Sequence, residues 1–190
     1  TAYDLVPVDR PIYVGSFMQG GSARVMNVGF PERVHASFDL HHARLMQVWR
    51  GDFFNAEGTW HGRAGQLEVP AGIAVRDLPA GSAFAHLIAA DAPWPVASGR
   101  EAGWRMLGHR RDAQGRPTFR YRHGEFTGEE TLTPRYGQGG ATLTRRFRIA
   151  GIVDVITRQD IGVDGDHRVF AWRIDSTASK SARRRGGPEC

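Results

Sequence analysis

The side chains that could bind a metal or transfer a proton are concentrated in residues 38–63. This segment reads FDLHHARLMQVWRGDFFNAEGTWHGR and contains three histidines, three acids and two tryptophans. The strongest metal candidates are His41 and His42, together with His35 and Asp39 just before them. On a strand, His35 and Asp39 would share a face about 13 Å apart, and adjacent histidines in a turn normally diverge. The spacing therefore favours a solvated turn, and we predict no metal and no cofactor.

Carboxylates and nucleophiles elsewhere in the chain do not define a reaction. Glu125 and Glu129 are the acids that a small hydrolase would combine with a histidine, but nothing in the sequence fixes the separation that such chemistry needs. There is no G-x-S-x-G motif, and the single cysteine is Cys190. The sequence therefore has no nucleophile motif, no C-x-x-C-H haem attachment site and no cysteine-based zinc cluster. We predict a chain without catalytic residues.

Tryptophans are the next candidates, because exposed indole rings can stack on sugars or anchor a protein interface. Trp49, Trp104 and Trp172 lie within strand-like patterns, which predicts that they fill the core. Trp60 and Trp94 lie in loops rich in glycine and proline. These two are the predicted partner-binding tryptophans.

The net charge of +5 is unevenly distributed, because residues from Lys180 onward carry +3 and leave +2 for the rest. A body this close to neutral is poor support for nucleic-acid binding, which needs several cations on one face. The basic residues near the end of the chain are Arg183, Arg184 and Arg185. We predict that these three arginines dock on an acidic neighbouring chain or on anionic lipid head groups.

Short alternating segments separated by glycine and proline predict the elements that position these residues. VHASFDL places Val34, Ala36 and Phe38 on one face and His35 with its polar neighbours on the other, and residues 34–54 are typical of a hairpin. Residues 104–132 indicate a meander, in which one face packs and the other is wet. Residues 68–98, rich in alanine and proline, favour a long crossing loop with a helical turn at 84–90.

These patterns predict an all-β fold, an antiparallel β-sandwich or a barrel-like sheet, with the long Ala/Pro-rich loop and an extended C-terminal tail. We expect a single β-rich domain over residues 1–175 and a basic tail over 176–190. No run of eighteen apolar residues is present, so the sequence predicts no membrane span.

Several segments resemble a β-rich domain of secreted or periplasmic c-type cytochrome proteins, associated with auracyanins and dehydrogenases, in planctomycete-like bacteria. The matching segments are VGFPERV, SFDLHHARLMQVWRGDFF, TWHGR, MLGHRRDAQGRPTFRYRHGEFTGEETL and TRRFRI, which lie within residues 22–149. The resemblance assigns no catalytic residue. Domains of that kind usually share a chain with a C-x-x-C-H haem segment, and this sequence contains none.

The resemblance implies a freestanding module whose redox partner is a separate chain. We therefore expect a non-catalytic periplasmic accessory subunit that stabilises a membrane electron-transfer complex containing a c-type cytochrome, of which a photosynthetic reaction centre is one example. The chain begins at Thr1 rather than methionine, which favours a leader that has been removed. The alternatives are a carbohydrate-binding module and, less favoured, a small β-fold hydrolase.

Overall fold

The computed structural model describes residues 3–61, 66–86, 93, 95, 97–138, 140–150, 155–157 and 170–176, with the backbone alone for 85, 86, 155–157 and 170–176. The strands are β1 Asp4–Leu5, β2 Ile12–Ser16, β3 Val25–Gly29, β4 Val34–Asp39, β5 Arg44–Arg50, β6 Phe54–Asn55, β7 Ile73–Asp77, β8 Phe84–His86, β9 Trp104–Arg111, β10 Pro117–His123, β11 Phe126–Gly137, β12 Gly140–Ala150, β13 Val155–Thr157 and β14 Phe170–Ser176. One short helix, α1, spans Glu57–Trp60.

Two five-stranded sheets dominate the architecture. The first sheet has the order β2-β3-β4-β5-β7 and the second has the order β14-β12-β11-β10-β9, while β1-β6 and β8-β13 form two-stranded pairs. Among the described strands, every pair is antiparallel except β12 with β14, which is parallel. The predicted all-β sandwich is confirmed, and neither large sheet closes into the barrel-like alternative.

The two sheets pack through their inner faces because apolar residues alternate along the strands. Phe38 of β4 and Phe119 of β10 stack with ring centroids 3.8 Å apart, which joins the first sheet to the second at the centre of the core. Val34, Ala36 and Tyr121 belong to the same buried cluster. Aromatic pairs of this kind contribute about 1 kcal/mol beyond the area that they bury. The predicted 34–54 hairpin and 104–132 meander supply most of this layer.

The outer face of the first sheet is also buried along β4. Residues 53–56 lie against this face, where Phe53 and Phe54 pack with Met18 and Trp49 in a second apolar cluster. His35 is buried beside Phe53, and Ser37 and Asp39, on the same face, are buried as well. Sequence alternation identified the two faces of β4 correctly, but it could not show that a later segment covers the polar one.

The region predicted as a loop, residues 68–98, contains two strands. β7 pairs with β5, and β8 pairs with β13 in the stretch where a helical turn had been expected. The β-branched residues Ile73 and Val75 favour strand β7 over a loop. In the part of the chain that the structure describes, no helix is long and apolar enough to cross a membrane.

Candidate functional site

Asp39, the central acid of the histidine-rich segment, organises the turn that follows β4. Its carboxylate accepts hydrogen bonds from the Ser22 amide and hydroxyl at 2.9 and 2.7 Å, from the His41 and His42 amides at 3.0 and 3.1 Å, and from His42 Nδ1 at 2.8 Å. Burial raises the pKa of Asp39, but the hydrogen bonds from His42 and Ser22 outweigh it, so the net pKa lies below its usual value. These contacts make Asp39 a structural acceptor.

His35 is a structural residue for a different reason. Its Nδ1 accepts a hydrogen bond from the Phe30 amide at 3.2 Å, so its Nε2 carries the proton and donates to the Gly51 carbonyl at 2.9 Å. The ring contacts both Trp49 and Phe53, with centroids 5.7 and 5.1 Å away. Burial lowers the pKa of His35 to about 4. The imidazole is therefore neutral at pH 7, and both of its nitrogens are engaged.

The structure does not bring the metal candidates together. Across the described ranges, no group of three or more His, Cys, Asp or Glu side chains is placed to hold a metal ion. Glu129, one of the two hydrolase candidates, lies among arginines: its carboxylate is 2.8 Å from Arg110, 3.2 Å from Arg120 and 3.9 Å from Arg148. Glu125 is exposed at the β10–β11 turn.

The tryptophans whose side chains the structure describes are buried or exposed as predicted. Trp49 is fully buried and donates from Nε1 to the Phe53 carbonyl at 2.9 Å, and Trp104 is buried in the inter-sheet core, so the core prediction is confirmed for both. Trp60 is 56% exposed on α1. The side chain of Trp172, residue Trp94 and the three arginines 183–185 lie outside the described residues.

Trp60 lies beside a strip of exposed apolar side chains. Met18 and Glu68 form a parallel bridge and are both buried, so Phe17, Leu67 and Val69, which alternate with them, face outward and are exposed. The Glu68 carboxylate accepts a hydrogen bond from the Thr59 amide at 2.6 Å, which ties α1 to the same segment. We call Phe17, Trp60, Leu67 and Val69 the apolar strip. Exposed aromatic and aliphatic side chains grouped in this way are typical of interaction sites.

The outer face of the second sheet is strongly basic. In β10, Phe119 and Tyr121 point into the core, so the alternating Arg120 and Arg122 point outward. The register of β9, β10, β11 and β12 aligns further arginines on the same side. We call this set the arginine face: Arg105, Arg110, Arg120, Arg122, Arg135, Arg146 and Arg148, all exposed.

A single acid opposes these cations on strands β9 to β12. Glu129 is the one acidic residue that these strands place on the outer face, because Glu130, the other acid among them, points into the core. Seven arginines and one glutamate leave a net charge of +6 on the face. The large apolar side chains exposed on these strands are Leu107 and Tyr136, and Tyr136 alternates with the outward Arg135, so it points to the other side of β11. This surface suits a broad anionic partner and lacks the aromatic platforms on which bases of a single strand would stack.

Sequence reasoning missed the arginine face because it summed charge over the chain. A body charge of +2 hides a basic face when acids lie elsewhere. The alternation of RYR in β10 and RRFR in β12 was the available signal, since it placed pairs of arginines on the outward side. Only the strand register shows that the pairs are neighbours.

No family model, curated protein or solved structure matches this chain. The resemblance to the cytochrome-associated domain, and the partner and location that follow from it, therefore stay predictions.

Proposed function

We propose that this chain is a non-catalytic, periplasmic accessory subunit that stabilises a membrane electron-transfer complex containing a c-type cytochrome. The observation that carries the proposal is the arginine face, with its net charge of +6 on strands β9 to β12 of the second sheet. Guanidinium groups on a broad face bind carboxylates in a bidentate manner and steer association with an acidic surface. The resemblance supplies the identity of the partner.

The apolar strip on the other side of the sandwich is the second surface that supports a docking role. Interfaces draw most of their binding energy from a few aromatic and apolar residues surrounded by polar contacts, and Trp60 is suited to that part. Charged rim residues mainly set the rate and salt dependence of association. The arginine face would therefore guide the encounter with the complex, and Trp60 would slow dissociation from it.

Native co-purification tests the proposal. We expect the affinity-tagged full chain, isolated from gently solubilised membranes of its source bacterium at low salt, to bring down a haem-containing chain that is identified by mass spectrometry and haem absorbance. The double variant Arg105→Glu/Arg122→Glu should lose this chain, because it reverses two charges on neighbouring strands of the arginine face. Higher salt should weaken the wild-type association in the same way.

A matched control separates the surface from the overall charge. Arg24→Glu/Arg76→Glu makes the same change in net charge at exposed positions just before β3 and in β7, and should leave co-purification intact. Recovery of the wild-type chain without any haem protein would refute the proposal. Equal loss in both double variants would remove the role of the arginine face.

A carbohydrate-binding module is the second candidate, and the exposure of Trp60 is what favours it. An exposed indole can stack on a sugar ring. Binding to a glycan array that Trp60→Ala abolishes, and that Tyr136→Ala at the exposed β11–β12 hairpin leaves unchanged, would support this candidate. Absence of any glycan bound by the wild-type chain would dismiss it.

A further inference from the structure

A cleft of about 400 Å³ opens at one end of the first sheet. Gln19, from the turn after β2, lines one side, Arg44, Met46 and Gln47 from β5 line the floor, and Asp77 at the end of β7 lines the other side. The volume is within the range of small-molecule sites. The cleft is separate from both the arginine face and the apolar strip.

A β-bulge in β5 brings these side chains together. Ser37 pairs with Gln47, and the next residue, Phe38, pairs with Leu45, so Met46 is the extra residue in the pair of strands. In a regular strand Arg44 and Gln47, three positions apart, would point to opposite faces. The extra residue turns both to the outer face, with Met46 between them. Bulges often re-aim side chains at functional sites in this way.

Gln47 presents an acceptor that the protein itself leaves unused. Its Nε2 donates to Asp77 Oδ1 at 2.7 Å, which fixes the amide so that Oε1 is the remaining polar atom. Gln47 is 9% exposed, and its Oε1 is buried with no hydrogen-bond partner among the described residues. A buried carbonyl oxygen without a donor is destabilising, because it has lost its hydrogen bonds to water. A ligand that brings an N–H to this oxygen would relieve that cost.

Two opposite charges complete the lining. Among the described residues, neither Arg44 nor Asp77 takes part in an ion pair. The cleft therefore offers a guanidinium donor on one side, and a carboxylate with an amide oxygen on the other, over the thioether of Met46. From this arrangement we infer that the cleft binds a free α-amino acid, with its carboxylate on Arg44 and its ammonium group on Gln47 Oε1 and Asp77.

Other small ligands fit this lining less well. A simple anion would be repelled by Asp77, and a simple cation by Arg44. A sugar would favour an aromatic ring to stack on, and none of the described residues that line the cleft is aromatic. Met46 and Leu78 supply an apolar wall, which favours an aliphatic side chain on the bound amino acid.

Calorimetric titration of the full chain with the common L-amino acids tests the inference. We expect an aliphatic member such as L-leucine to bind, and N-acetyl-L-leucine and L-leucinamide to bind at least about tenfold more weakly, because each lacks one of the two charged groups. Failure of every amino acid to bind would overturn the inference, as would equal affinity for L-leucine and its blocked derivatives.

Matched variants assign the site. Arg44→Gln should weaken binding of the preferred amino acid at least about tenfold, since it removes a charge-assisted hydrogen bond. Arg76→Gln removes the same charge from β7, where the register with Val48 places it on the other side of the strand, and should leave affinity unchanged. Equal effects of the two substitutions would overturn the site, provided that thermal melts show both variants folded.

Amino-acid binding at the cleft can be tested independently of the docking proposal. The double variant Arg105→Glu/Arg122→Glu should keep wild-type amino-acid affinity, because both positions are on the second sheet. A chain that binds amino acids but no haem protein would support this inference and refute the proposed function. A chain that binds a haem protein but no amino acid would support the proposed function and refute this inference.

Discussion

The two large sheets use the same alternation of polar and apolar residues but treat their outer faces in opposite ways. In the first sheet the outer polar side chains are short and buried: Asn27 donates to Ser16 Oγ at 2.6 Å and accepts from Ser37 Oγ at 2.5 Å, across three strands. In the second sheet they are long and exposed, as in Arg120 and Arg122. The covering segment 53–56 makes the difference.

The chemistry of each face matches its surroundings. Serine, asparagine, aspartate and histidine can satisfy one another under a cover, whereas arginine keeps its charge in water and its stem on the sheet. Gly29 shows how closely the cover approaches the first sheet, because a Cβ at that position would lie 2.7 Å from the Phe53 ring. The polar outer face of the first sheet is therefore covered within the fold, whereas the polar outer face of the second sheet is exposed to partners.

The inner faces show the reverse contrast. The inner residues of β4 in the first sheet are Val34, Ala36 and Phe38, which are apolar, whereas the second sheet places Glu130 and Arg145 between the layers, with 0% and 4% of their side chains exposed. Burial and the nearby Glu130 charge also raise the pKa of Tyr121 well above its usual value. The first sheet thus buries an acid, Asp39, on its outer face, whereas the outer face of the second sheet is exposed. The second sheet buries an ion pair on its inner face, where β4 of the first sheet is apolar.

Breaking the inner ion pair has the largest expected effect. The Arg145 Nε and Glu130 Oε1 atoms are 2.5 Å apart, and Glu130→Leu would leave the guanidinium buried without its carboxylate. We expect the free energy of unfolding to fall by about 4 kcal/mol. Urea denaturation followed by tryptophan fluorescence measures it. The double variant Glu130→Leu/Arg145→Met should recover most of the loss, and a single variant as stable as wild type would contradict the burial of this pair.

Removing one acid from each outer face compares the two surfaces directly. Asp39→Ala leaves the donors of Ser22, His41 and His42 without their acceptor, and we expect a loss of about 3 kcal/mol in the free energy of unfolding. Glu129→Ala, at a surface cluster of arginines, should cost about 1 kcal/mol or less. Equal losses in the same urea assay would show that the two faces are equally buried.

The sequence was sufficient for the fold class because strand alternation and turn residues are local signals. It predicted the β4–β5 hairpin, the β9–β11 meander and the burial of Trp49 and Trp104, all of which the structure confirms. It could not predict that residues 53–56 cover the polar side of β4, since that contact depends on the tertiary fold. Strands β7 and β8 within the expected loop were missed for the same reason, because they form by pairing with β5 and β13 in the tertiary fold.

The candidate surfaces depend on register, which the sequence does not contain. RYR and RRFR reveal paired outward arginines, but only the alignment of β10, β11 and β12 shows that Arg120 and Arg148 meet at Glu129. The cleft depends on the bulge between Leu45 and Gln47, a single extra residue that leaves no mark in the pattern. Trp60 was predicted to face a partner; its exposure fits that prediction, and its partner stays a prediction.

An effect smaller than that of Asp39→Ala concerns pH and distinguishes the covered face from the open one. Burial lowers the pKa of His35 to about 4, so as the pH falls the unfolded chain binds a proton first, and the stability that His35 contributes is lost between pH 6.5 and pH 4. Between pH 7 and pH 5 we expect a loss of about 2 kcal/mol in the free energy of unfolding. Urea denaturation at these two values measures the loss.

His35→Gln should flatten that pH dependence, whereas His61→Gln, at an exposed position, should keep the wild-type dependence. Burial and the nearby Arg111 also lower the pKa of His109, so a smaller slope of the same sign should remain in His35→Gln. The lowered pKa of Asp39 acts only below its usual value of 3.8 and leaves this window unaffected. A His35→Gln variant with the full wild-type slope would mean that the imidazole gains a proton without leaving its site, and that water reaches the outer face of the first sheet as it reaches that of the second.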